Sequence, residues 1–120
     1  MPATIPVLPA TDLDRAAAFY EGLGFAVDDR WGDYLILVHP AGVELHVHLE
    51  GRWGYGGAHS GEAYIRFDSA AEAEALHRAW ANAAEGSVSE PRETFYGLVQ
   101  FELDDPFGNR ISVGGPGEKS

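Results

Sequence analysis

Residues 101–113, Phe101-Glu102-Leu103-Asp104-Asp105-Pro106-Phe107-Gly108-Asn109-Arg110-Ile111-Ser112-Val113 (FELDDPFGNRISV), decide how the rest of the chain is read. Apolar and polar residues alternate on both sides of Asp105-Pro106-Phe107-Gly108, the pattern of two half-buried strands. Between them proline presets φ and glycine supplies a positive φ, so the segment predicts a β-hairpin. Outward from it, residues 12–25 (DLDRAAAFYEGLGF) carry Phe19, Tyr20, Leu23 and Phe25 at helical spacing after an Asp-rich start. They stop at Gly22 and Gly24, which predicts a short capped helix leading into a strand.

The same pattern then occurs twice. Residues 5–8 predict a strand, Thr11 or Asp12 caps a helix to about residue 21, and residues 25–29, 34–38 and 43–49 predict three more strands. After a glycine-rich stretch, 51–61, residues 63–67 predict a strand and Ser69-Ala70-Ala71-Glu72 a capping box opening a helix to about residue 84. Short strands follow near Val88 and over 98–103 and 110–113. The hairpins align too, Pro40-Ala41-Gly42 falling 66 residues before Pro106-Phe107-Gly108. The expectation is an α+β fold in one domain, 1–120, of two βαβββ repeats, about 4–50 and about 61–114. Each repeat is too small to bury its own sheet, so the mixed sheets would pair into a cup with the helices on the outer faces.

Eight basic against nineteen acidic residues give a net charge of −11. That excess argues against nucleic acid and anionic membranes and favours cationic ligands. With no cysteine, disulfides and thiol catalysis are excluded. No apolar run approaches a membrane span and Met1-Pro2-Ala3 has no basic n-region, so cytoplasm is the expected compartment. Catalytic patterns are weak: there is no G-x-S-x-G or phosphate-cradling glycine loop, and Asp28-Asp29 and Asp104-Asp105 read as solvated carboxylates at strand ends.

Residues 12–25 and 101–113 together resemble the vicinal oxygen chelate superfamily over nearly the whole chain, and Leu8-Pro9 with Asp12 and Phe19-Tyr20, Leu23-Gly24-Phe25, residues 34–37 (YLIL), Arg66-Phe67-Asp68, Tyr96-Gly97 and Asp105-Pro106 with Gly108 match its bleomycin-resistance members. That superfamily includes glyoxalases, extradiol dioxygenases, fosfomycin-resistance enzymes and bleomycin-resistance proteins. In its metal-dependent members each repeat offers one ligand from its first strand and one from its last. Counting from Asp12 and Ser69, and from Gly42 and Gly108, the positions that resemble those ligands are Ile5, His46, Glu62 and Ser112. Isoleucine cannot ligate a metal and serine is a poor ligand, whereas a catalytic divalent site usually needs three protein ligands.

The pattern is most similar to the bleomycin-resistance proteins. That resemblance implies sequestration of a flat, cationic drug by a domain-swapped homodimer, with no cofactor and no metal. Whether the repeats pair within one chain or between swapped chains is left open. The alternative is a metal-dependent lyase or dioxygenase using His46 and Glu62 with a third ligand, for which His48, two residues along the same strand, is a candidate. The expected ligand-binding residues are Trp31, Leu35, His46, His48, Trp53, Tyr55, Glu62, Tyr64, Tyr96, Phe101 and Ser112. Aromatic residues in turns and glycine-rich loops suit a planar cation held by stacking and cation–π contact. His39 and His77 are expected at the surface, His59 is open, and Trp80 belongs to the core.

Overall fold

The computed structural model describes residues 2–50, 61–82 and 86–117. Both helices start where their caps predict. Asp12 accepts from the Arg15 N–H at 3.1 Å at the head of α1 (Leu13–Glu21). Ser69 Oγ accepts from the Glu72 N–H at 3.3 Å and donates to the Glu72 carboxylate at 3.0 Å, opening α2 (Ala70–Trp80). Helix α2 ends before the predicted residue 84, because Trp80 is its last buried position and Ala81 and Asn82 are exposed. Without an apolar face to bury, a further turn gains too little to persist.

Strands β1 (Val7–Ala10), β2 (Ala26–Trp31), β3 (Tyr34–His39) and β4 (Val43–Leu49) form one sheet in the order β1-β4-β3-β2. The second sheet runs β5 (Glu62–Arg66), β9 (Arg110–Pro116), β8 (Leu98–Asp104), β6 (Ser87–Val88), and β7 (Arg92–Glu93), which was not anticipated, also pairs with β8. In each repeat the first strand lies parallel to the last and the others pair antiparallel, giving two mixed, open sheets and an α+β fold. Strand β1 starts two residues later than predicted. Its parallel register matches Val7 to His46 and Ala10 to Leu49, leaving Ile5 ahead of the strand. Pro9 is accommodated because β1 is an edge strand.

Each helix covers one face of its own sheet. Leu35, Leu37, Leu45 and Val47 of the first sheet and Phe101, Leu103, Ile111 and Val113 of the second are buried in one cluster with Ala16, Phe19, Tyr20, Ala73, Leu76 and Trp80. Full burial of each large apolar side chain contributes about 1.5–3 kcal/mol. The cluster is continuous across the repeats: Trp80 Nε1 donates to the Leu23 carbonyl at 2.9 Å, and its ring lies 6.1 Å from Phe25. His39 and His77 are half-buried rather than at the surface, because this shared core reaches them. His39 Nε2 lies 3.2 Å from the same Leu23 carbonyl, and the His77 ring packs edge-on to Phe101 at 5.1 Å.

The 105–108 turn forms as predicted, with Gly108 at φ +87. Asp105, expected to be solvated, is instead buried. Its Oδ1 accepts from the Phe107 and Asn109 N–H groups at 2.9 and 2.8 Å, and its Oδ2 from Tyr20 Oη at 2.7 Å and Asn109 Nδ2 at 2.8 Å. Asn109 Nδ2 also donates to the Pro9 carbonyl at 2.8 Å, so the last hairpin is hydrogen-bonded to the first strand and first helix. Four donors compensate a carboxylate that burial alone would penalise.

Candidate functional site

Because successive strand residues face opposite ways, covering one face of each sheet leaves the alternate residues open. On the first sheet these are Tyr34, Ile36 and Val38 of β3 and Glu44, His46 and His48 of β4. Tyr34 Oη lies 2.7 Å from His46 Nδ1, and His46 Nε2 lies 2.6 Å from Glu44 Oε2. An ionised Glu44 can only accept, so Nε2 donates to it, and in the neutral imidazole Nδ1 then accepts from the tyrosine hydroxyl. Trp31, 54% exposed, stacks on Tyr34 with centroids 5.5 Å apart and planes at 23°. The result is a flat aromatic surface backed by a carboxylate. Burial, then the Glu44 charge, pushes the Tyr34 hydroxyl above its ordinary pKa, so it stays protonated and is no nucleophile at neutral pH.

On the second sheet the open face carries Glu62 and Tyr64 of β5, Gln100 and Glu102 of β8 and Ser112 of β9. Tyr64 and Tyr96 both donate to Gln100 Oε1, at 2.8 and 2.7 Å. Arg92 forks onto Glu102 at 2.8 and 3.0 Å, and Gln100 Nε2 and Ser89 Oγ also donate to it, at 2.8 and 3.2 Å. The Arg92 hydrogen bond is the main reason the Glu102 pKa falls from 4.5 to about 2, and it outweighs burial. Phe95, wholly exposed, sits edge-on to Tyr96 at 4.9 Å. Where the halves adjoin, Thr4, Pro6, Glu44, Leu45, Tyr64 and Ile65 line a groove of about 370 Å³.

Of the expected site residues, Trp31, His46, His48, Glu62, Tyr64, Tyr96 and Ser112 are exposed or half-buried. Leu35 and Phe101, by contrast, are fully buried in the core cluster with the helix residues. Strand alternation gives the open positions to their neighbours Tyr34, Ile36, Gln100 and Glu102 instead. Trp53 and Tyr55, like His59, lie outside the described residues. Tyr34, Glu44, Gln100, Glu102 and Arg92 are the members that sequence reasoning passed over. The period that places His46 and His48 on one face extends to Glu44, so a signal for that residue of β4 was present.

A metal fits these residues poorly. Ile5 and His46 belong to the first half and Glu62 and Ser112 to the second, so each half supplies one usable donor. Both His46 nitrogens are already engaged, and Glu62 is matched across the ladder with Arg110. Among the described residues no group of three or more His, Asp or Glu is placed to hold an ion.

The chain belongs to the glyoxalase/bleomycin resistance protein/dioxygenase superfamily, whose family model matches residues 5–113. No curated protein sequence matches it. It is similar in structure to a bleomycin resistance determinant encoded on the transposon Tn5, with TM-score 0.78, 24% identity, and 97% of this chain and 98% of the other covered. A bleomycin-binding protein from Streptomyces verticillus complexed with copper(II)-bleomycin aligns with TM-score 0.71 and 24% identity over 98% of both chains. The superfamily also holds enzymes: lactoylglutathione lyase from Agrobacterium tumefaciens aligns with TM-score 0.69 and 21% identity, over 94% of this chain and 92% of that one. At these identities the likeness establishes the fold.

Proposed function

We propose that this protein binds and sequesters a planar, cationic small molecule of the bleomycin type, stoichiometrically and without a resident metal or a catalytic step. The observation that carries this reading is the Trp31–Tyr34 stack held over the Glu44–His46 pair. It offers a flat π surface next to carboxylate charge while both imidazole nitrogens are consumed. The net charge of −11 would speed capture of a cation. The binding grooves are proposed to form in a cytoplasmic homodimer, where the open sheet face of one half meets that of another. Domain swapping would supply the second half from the partner chain.

Calorimetric titration with metal-free and copper-loaded bleomycin tests this, beside metal analysis after purification without chelators. Saturable binding of one drug per chain, with no stoichiometric transition metal, is the expected outcome. Absence of drug binding together with a tightly held zinc, nickel or iron would favour the lyase or dioxygenase alternative on His46 and Glu62.

A further inference from the structure

Gln100 is buried at 7% exposure on the otherwise open face of the second sheet, and both ends of its amide are engaged. Oε1 accepts from both Tyr64 Oη and Tyr96 Oη, which takes both lone pairs of that oxygen. Nε2 donates to Glu102 Oε2. Glu102 is held ionised by Arg92 and can only accept, so the nitrogen must face it and the oxygen must face the tyrosines. The orientation of the amide is therefore determined by its partners.

A second observation concerns Gly114, which lies opposite Gln100 in the β8–β9 ladder. A Cβ there would overlap the Tyr64 hydroxyl. Its φ is outside the left-handed region, so space rather than backbone conformation calls for glycine. The Tyr64 side chain passes over β9 at this bare position to reach Gln100.

The geometry points to Gln100 as the positioning residue of an aromatic wall: by holding the hydroxyls of Tyr64 and Tyr96 it sets both rings, and thereby the affinity of a flat ligand for the second sheet. This rests on the drug-binding reading above. The two residues stay about half exposed, 48% and 51%, so part of each remains open to a ligand although the hydroxyls are held. A tethered ring has already lost the rotamer freedom that stacking would otherwise cost.

The decisive variant is Gln100→Glu. At neutral pH the introduced carboxylate cannot donate to ionised Glu102, and like-charge repulsion drives it out of the position at which both hydroxyls converge, so the tether is displaced. When protonated, its carbonyl accepts the two hydroxyls and its O–H donates to Glu102, as the amide does. Burial and the neighbouring charge raise its pKa, so this recovery falls in mildly acidic solution. Bleomycin affinity, measured against wild type at each pH, is expected to drop about tenfold near pH 7.5 and return to within about twofold near pH 5. Gly114→Ala, which displaces only Tyr64, is expected to cost about threefold at every pH.

A ligand-free readout accompanies these. With 3-fluorotyrosine incorporated and resonances assigned through Tyr64→Phe and Tyr96→Phe, both fluorine signals should follow one shared titration in Gln100→Glu that wild type lacks. An affinity loss that is the same at every pH, or fluorine signals that ignore the titration, would overturn the positioning role. Titrating fluorines in a protein that does not bind bleomycin would keep the tether, and would overturn the drug reading and the ligand half of this proposal with it.

Discussion

Asp105 shows how much one side chain can carry. Its carboxylate joins the last hairpin, through Tyr20, to the first helix and, through Asn109, to the first strand. Asp105→Ala removes the acceptor for four donors, and the buried ones are left unpaired. A cost of about 3–5 kcal/mol in urea unfolding is expected, against about 1–2 kcal/mol for Tyr20→Phe, which deletes a single hydrogen bond. Burial, reinforced by the Asp105 charge, raises the Tyr20 pKa well above its ordinary value. An acid with a raised folded pKa holds its proton more tightly when folded, so its stabilisation is intact below about pH 10 and lost as pH rises further. Tyr20→Phe should flatten that alkaline decline. Glu102 has the opposite sign: its folded pKa of about 2 lies below 4.5, so its contribution is present above 4.5 and lost as pH falls towards 2. Arg92→Gln should raise the folded pKa and move acid unfolding, followed by circular dichroism, to higher pH.

At the scale of elements, the helices depend on their first turns and on close approach to the sheets. Ser69→Ala removes the cap of α2 and should cost about 1 kcal/mol. Gly115→Ala tests a different constraint. A Cβ at that position in β9 would collide with the Ser69 carbonyl and come within 3.0 Å of the Ala70 nitrogen, so helix and strand must separate. A loss of about 1–3 kcal/mol is expected, as for other overpacked contacts, without the change in helix-end fraying that Ser69→Ala should produce in hydrogen exchange.

For the whole molecule, the two open sheets are the ground on which a homodimer is proposed. The principal extents are 50 × 30 × 25 Å, and the radius of gyration of 14.7 Å exceeds the roughly 13.6 Å of a compact chain this long. The open faces carry Trp31, Tyr64 and Tyr96 at about half exposure and Phe95 without cover. Exposed aromatic surface of this kind is characteristic of association and ligand sites. Size-exclusion chromatography with light scattering is expected to give twice the chain mass of 13.0 kDa at micromolar concentration. A monomeric mass would place the whole binding surface within one chain and remove the swapped-dimer proposal.

Much of this architecture could be read from residue order, because local chemistry dictates it. Caps at Asp12 and Ser69, the proline–glycine hairpins and the period-two alternation depend on neighbours within a few positions, and the repeated spacing of these signals exposes the βαβββ duplication. The ends of β1 and α2 could not be read that way, since partner strands and a shared core determine them. Alternation also identifies two faces for each strand without saying which one a helix will cover. Leu35 and Phe101 went to the core for that reason, and Tyr34 and Gln100 to the open side. Asp105 was illegible for a related reason: a carboxylate in a turn looks solvated until residues 85 positions away bring a hydroxyl to it. Only the tertiary structure decides whether a charge that the local sequence leaves unpaired meets water or buried donors.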